Sequence, residues 1–292
     1  MTRLKRNRIE KARHNRRAFL LLALLLCAAV SGCTPPQERL KDTQDFISAN
    51  ALQPEIIPSR PFPLYSAAPS LTPAKKLTII IEGDGYAWVD RWTPSDDPTP
   101  KIPTGLHIAA ALNKAGQANN NPAIYLARPC QYVMRMGQNQ GCNAHLWTDQ
   151  RFNSDVFESY NNALGLLRAR YGATAFHLIG YSGGGYIATV LAAMRPDIAK
   201  VTTIAAPLDL ESWTRYHEVT PIEGPVRLKR ILRDSSKTQF VHLCGEKDEI
   251  VPCKLYQNLV DQTVTLGLEN HKLKMMPGFK HGDAWESLTP YY

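Results

Sequence analysis

Six residues past the middle of the chain, Gly180-Tyr181-Ser182-Gly183-Gly184-Gly185, have the composition of a nucleophile turn. A serine hydroxyl that is to attack a carbonyl must stand clear of the chain, on a turn so tight that its backbone is strained. Side chains two positions to either side would collide there, and Gly180 and Gly184 meet that demand. The N–H of Gly183 then falls at a helix N-terminus, where it can face a developing oxyanion. A neutral serine is a poor nucleophile. It needs a base within hydrogen-bond reach, and the base needs an acid that sets its tautomer and stabilises its cation.

Two later segments supply candidates for these partners. Asp248 lies in Cys244-Gly-Glu-Lys-Asp248-Glu-Ile-Val-Pro252, just past a predicted strand, with Pro252 placed to open the next helix. Glu246 and Glu249 compete with it, and Asp209, after the preceding strand, is a further alternative. The base is His281, in Pro277-Gly-Phe-Lys-His281-Gly282 after the last predicted strand. His242 sits within a strand and reads as a core histidine, and His177 and His271 flank strand starts, at the wrong end of a sheet. His107 and His145 belong to early segments, His217 to a possible cap, and His14 to the extreme N-terminus.

The elements that must position these residues are legible from apolar periodicity. Strands are expected at Lys76–Ile81, Ala123–Ala127, Phe176–Tyr181, Lys200–Ala206, Thr238–Cys244 and His271–Met276. The continuous apolarity of Lys76–Ile81 suits a strand covered on both faces. Helices are expected at Gly105–Ala115, Phe152–Tyr171, from Gly183 to Met194, and at Pro252–Leu266, while Leu208–Lys237 has weak periodicity and reads as a lid or cap. Alternating strands and helices imply parallel βαβ units, with reactive groups at the C-terminal ends of the strands. Trp88, Trp92, Trp147 and Trp213 fall in loops that could line an aromatic pocket.

From about Lys76 onward the chain resembles the α/β-hydrolase family. The elbow Gly180-x-Ser182-x-Gly184, the acid segment Gly245–Pro252 and the terminal His281-Gly282 carry the likeness, in the chain order Ser, Asp, His. The resemblance implies an α/β-hydrolase fold: an eight-stranded, mostly parallel central sheet flanked by helices. It also implies acyl-transfer chemistry, and no cofactor is expected. In that family a second oxyanion N–H comes from a loop after an early strand that commonly reads His-Gly. Here the position reads Glu82-Gly83-Asp84-Gly85, and the donor is assigned to Asp84 beside Gly183. A carboxylate near an oxyanion is unfavourable, so the Asp84 side chain is expected to turn away or be neutralised. Carboxylesterase, thioesterase, peptidase and lipase activities remain open, as does a catalytically silent lipoprotein that binds an envelope component.

The N-terminus carries its own signals. A basic stretch to about Arg17 precedes an apolar run, Ala18–Val30, too short for a membrane span and typical of a signal peptide. It ends in Val30-Ser31-Gly32-Cys33, which resembles the lipobox of bacterial lipoproteins and implies lipidation of Cys33. Asn15-Arg-Arg-Ala-Phe-Leu-Leu21 also looks like a twin-arginine export signal, so either export route is open. Thr34 after the cysteine hints, by the same resemblance, at the periplasmic face of an outer membrane. The formal charge of +8 belongs largely to this segment: Met1–Gly32 holds eight Lys/Arg and one Glu, leaving 26 basic and 25 acidic residues. No nucleic-acid partner is implied.

Of six cysteines, Cys27 falls in the signal and Cys33 in the lipobox. The other four allow three pairings, and the local pairs Cys130–Cys142 and Cys244–Cys253 are expected because each closes a short loop beside a strand end. No Cys-x-x-Cys or Cys/His spacing points to a metal. The expected organisation is a signal peptide at 1–32, a Pro-rich tether at 33–74 and one domain at 75–292, acting as a monomer on a small-molecule ester.

Overall fold

The computed structural model describes residues 35–70, 73–115, 121–222 and 226–292. The signal peptide, the lipobox and Cys33 lie outside the described residues. Eight strands form a single sheet in the order β1-β2-β4-β3-β5-β6-β7-β8. They are β1 (Gln53–Ile57), β2 (Leu64–Ala68), β3 (Lys76–Ile81), β4 (Ala123–Leu126), β5 (Ala175–Tyr181), β6 (Ile198–Ile204), β7 (Gln239–Gly245) and β8 (His271–Met276). From β4 through β8 every neighbouring pair is parallel, whereas β2 runs antiparallel to both β1 and β4.

The continuous apolarity of the inner strands follows from this layout, because helices cover both faces. Leu77, Ile79 and Ile81 of β3 pack into one core with α3 (Ser154–Tyr171) and α4 (Gly183–Met194). Ile80 points the other way, into a second core with α1 (Pro36–Ala49) and α2 (Thr104–Lys114). The period of two within each strand therefore distributes one run of residues over two cores. The edge strand β8 is mostly exposed. α3 is bounded as its sequence suggests: the Asn153 side chain accepts from the Val156 N–H, and Gly172 closes the helix in the left-handed region.

One expectation fails. The Pro-rich stretch assigned to a tether at 33–74 is, over its described residues, part of the folded domain. α1 packs there with Arg39, Thr43 and Ile47 buried, and β1 and β2 complete the sheet, β2 buried along its whole length. Proline density misled because these prolines sit where a sheet tolerates them. Pro54 lies in β1, an edge strand, and Pro58, Pro61, Pro63 and Pro69 flank the strands.

The segment read as a lid folds into two short helices, α5 (Leu210–His217) and α6 (Leu228–Asp234). The helix expected at Pro252–Leu266 starts as a 3₁₀ turn, Cys253–Tyr256, and continues as α7 (Gln257–Thr265). Among the described residues, no helix is long and apolar enough to cross a membrane.

Candidate active site

β5 ends at Tyr181 and α4 begins at Gly183, so Ser182 alone turns the chain. Its φ of 50° and ψ of −125° are strained for a residue with a Cβ, at a cost of about 1–3 kcal/mol. The surroundings enforce it: Ser182 N–H donates to the Ile204 carbonyl at 2.8 Å, and Gly185 N–H to the Ser182 carbonyl at 2.9 Å. A Cβ on Gly180 would strike the Gly184 carbonyl, and one on Gly184 the carbonyls of Ile81 and Glu82. Those are the two glycines that the strained turn required.

The structure brings the three separated residues together. His281 Nε2 lies 3.1 Å from Ser182 Oγ, and His281 Nδ1 lies 2.8 Å from Asp248 Oδ2. An ionised carboxylate only accepts, so the network assigns the proton to Nδ1 and leaves Nε2 to accept from the serine hydroxyl. Burial alone would raise the pKa of Asp248. The hydrogen bond and charge of His281, with the N–H groups of Val251 and Ile250 both at 2.8 Å from Oδ1, outweigh it and hold the group below the usual aspartate value. Two of the competing acids are engaged elsewhere. Asp209 caps α5 through Ser212 and also accepts from Asn258, while Glu246 accepts from Gly278 N–H at 2.7 Å.

Two positioning groups are invisible to motif reading. The His281 carbonyl accepts from Tyr181 Oη at 2.9 Å and from Trp285 Nε1 at 2.8 Å, which fixes the loop carrying the imidazole. Both expected disulfides are formed. Cys244–Cys253 brackets the loop of Asp248, and Cys130–Cys142 lies beside Gln131, whose side chain donates to the Gly83 carbonyl at 3.1 Å. His242, read as a core residue, is buried against Thr203 Oγ1 and His271 Nδ1, and desolvation pushes its pKa down to about 3.

The loop after β3 carries two carboxylates with opposite fates. Asp84 sits between two arginines, with Arg128 Nη1 2.7 Å from Oδ1 and Arg151 Nε 2.9 Å from Oδ2. Burial would raise its pKa, but Arg151 and Arg128 hold it below the ordinary value, so its charge is neutralised rather than turned away. Glu82 is buried, and its side chain accepts from Gly83 N–H at 3.0 Å and Gly105 N–H at 3.1 Å. Desolvation outweighs those bonds and raises its pKa to about 7.

Above Ser182 opens a cavity of about 510 Å³, lined by the 83–88 loop, Lys101, Ile102, Arg151, Ile250 and His281 among others. Of the four tryptophans considered for a pocket, Trp88 and Trp213 line it, Trp147 is buried and Trp92 projects into solvent. Among the described residues no group of three or more His, Cys, Asp or Glu side chains is placed to hold a metal ion.

A family model described as alpha/beta hydrolase fold matches residues 138–219, the stretch that contains α3, the Ser182 turn and α4. No curated protein matches the sequence. Solved structures are similar at low identity. The Pyrococcus furiosus esterase Pf2001 superposes with a TM-score of 0.57 at 10% identity, covering 89% of each chain. Est1E from Butyrivibrio proteoclasticus gives 0.54 at 14%, covering 80% of this chain and 93% of that one. An alpha-beta serine hydrolase homologue from Coxiella burnetii gives 0.51 at 14%, covering 78% and 88%. The strand order, the family match and these likenesses together assign the chain the α/β-hydrolase fold.

Proposed function

We propose that the protein is a serine hydrolase that cleaves a carboxylic ester through Ser182, His281 and Asp248. The observation that carries this reading is the chain of contacts from Ser182 Oγ to His281 to Asp248, at 3.1 and 2.8 Å, built on a strained serine at the floor of an aromatic cavity. His281 Nε2 takes the hydroxyl proton as Ser182 Oγ bonds to the ester carbonyl carbon. The tetrahedral oxyanion collapses, the bond to the alcohol oxygen breaks, and that oxygen leaves with the proton from His281. A water then repeats the sequence on the acyl-enzyme and frees the acid.

The oxyanion donors are the N–H of Gly183, at the start of α4, and that of Asp84. Gly83 N–H is already held by Glu82, which favours Asp84 as the donor in that loop. Losing one such donor costs on the order of 10²–10³ in rate. Anchoring through lipid on Cys33, at the periplasmic face of an outer membrane, completes the proposal and rests on the N-terminal sequence.

Turnover of p-nitrophenyl esters and labelling by a fluorophosphonate test the activity. Both are expected in the parent and absent from Ser182→Ala. A folded parent protein that takes no label would instead mark a binding module. Membrane retention after a salt wash, lost in Cys33→Ser, tests the anchor.

A further inference from the structure

The cavity has an unusual rim. Residues 87–95 form a small hairpin in which Trp88 bridges Pro94 and Val89 N–H donates to the Thr93 carbonyl at 2.9 Å. Asp90 Oδ1 closes the tip by accepting from the N–H groups of Trp92 and Thr93, at 2.8 and 2.9 Å. Trp147 Nε1 donates to the Ser95 carbonyl at 3.1 Å and anchors the base. This hydrogen-bonded turn exposes Trp92 by 79%, with Arg91 5.2 Å from its ring, Val89 by 52% and Trp88 by 42%, and Ile102 beside the cavity is 65% exposed. Apolar side chains held out by a closed turn contribute nothing to the core, and so await a partner surface.

The chain itself indicates which surface. Cys33, the proposed lipid anchor, stands just before α1 in the sequence, and α1 is clamped onto the same loop system. Arg39, in its first turn, donates to the carbonyls of Asp97 and Thr99, and its guanidinium lies 5.2 Å from the Tyr86 ring. The start of α1 therefore packs against the loop that carries the hairpin and, through Tyr86, lines the cavity. Within the hairpin the two charges, Asp90 and Arg91, cancel. That balance offers little to an acidic or basic partner. It suits tryptophans seated in the interfacial layer of a bilayer, where the ring is buried and the indole N–H stays hydrated.

We propose that hairpin 87–95 docks on a phospholipid bilayer, seating Trp88, Val89 and Trp92 in the interface and turning the cavity mouth toward the lipid. Where the ester-hydrolase reading holds, the substrates are esters dissolved in the bilayer, which reach Ser182 past Trp88 and Ile102.

The test uses the full chain reconstituted in phosphatidylcholine vesicles with brominated acyl chains. Tryptophan emission should be quenched, the quenching should fall in W92F and vanish in W88F/W92F, and salt should change it little. Equal quenching in the parent and the double variant overturns the docking. So does quenching that is absent while Trp92→Asp dissolves a dimer, which would make a second copy the occupant. With active protein, Trp92→Asp should leave kcat/KM for p-nitrophenyl acetate in solution unchanged and slow hydrolysis of a long-chain ester held in the vesicles by about tenfold. Equal rates for parent and variant on both esters overturn delivery from the bilayer. If the parent hydrolyses neither ester while the quenching pattern persists, the hydrolase reading fails and the docking stands.

Discussion

Tyr181 Oη donates a 2.9 Å hydrogen bond to the carbonyl of His281, and the two rings lie 5.3 Å apart. The residue immediately before the candidate nucleophile thus holds the candidate base in place across a sequence separation of 100. Tyr181→Phe removes this bond and leaves Trp285 as the remaining donor. A net hydrogen bond is worth about 1 kcal/mol, so kcat is expected to fall by about 5- to 10-fold, with KM and the pH profile unchanged. Steady-state kinetics across pH on a soluble ester checks this, and an altered pH profile would mean that Tyr181 does more than position His281.

Asp248→Asn removes the carboxylate that holds Nδ1–H and stabilises the imidazolium. A loss of about 10⁴-fold in kcat is expected. Asp209→Ala should leave kcat unchanged and cost about 1 kcal/mol of stability, because Asp209 caps α5. Parallel kinetics and thermal unfolding of the two variants separate the roles, and near-normal turnover in Asp248→Asn would remove it from the mechanism.

Asp84→Ala leaves the buried guanidiniums of Arg128 and Arg151 facing each other without their carboxylate. Destabilisation of about 2–3 kcal/mol is expected, while the main-chain N–H proposed for the oxyanion survives. The folded pKa of Asp84 is depressed, so its contribution is fully present above the unfolded value of 3.8 and is lost as pH falls through the lower folded value. Chemical denaturation of parent and variant should therefore converge in acid. A constant gap from neutral to acid pH would contradict the assignment.

Glu82 has the opposite sign. Its folded pKa, about 7, exceeds the ordinary 4.5, so the folded protein holds a proton that the unfolded chain releases. The penalty is absent below the unfolded value, grows as pH rises between the two, and is constant above about 7. It amounts to about 3 kcal/mol. Glu82→Gln should flatten the pH dependence of Tm over that window, and an unchanged slope would show that the carboxyl does not titrate there.

Cys244–Cys253 closes a loop with a sequence separation of 9 around Asp248. Its replacement by two serines is expected to cost about 2–3 kcal/mol through loop-closure entropy. Activity should fall with it, because the loop that aims Asp248 at His281 is freed. Calorimetry and kinetics with and without reductant provide the measurement. Full activity with a lowered Tm would confine the bridge to stability.

Much of this protein could be read from one dimension because the relevant signals are local. The strained turn at Ser182 needs glycines two residues away on either side, and the strands between covered faces need unbroken apolar runs, so composition over a few residues reported both. Chain order likewise pointed to Asp248 and His281, since a parallel sheet delivers successive strand ends to one edge. Residues 36–68 escape a sequence reading because proline content is also local, whereas the place of β2 in the sheet depends on pairing with β4, more than fifty residues on, and β1 then joins as the edge strand through β2. The choice of Asp248 over Asp209, the two arginines around Asp84, the grip of Tyr181 and Trp285 on His281, and the burial that lifts Glu82 were decided only by the tertiary structure. Each depends on which distant groups share a low-dielectric space, and neither spacing nor composition carries that information.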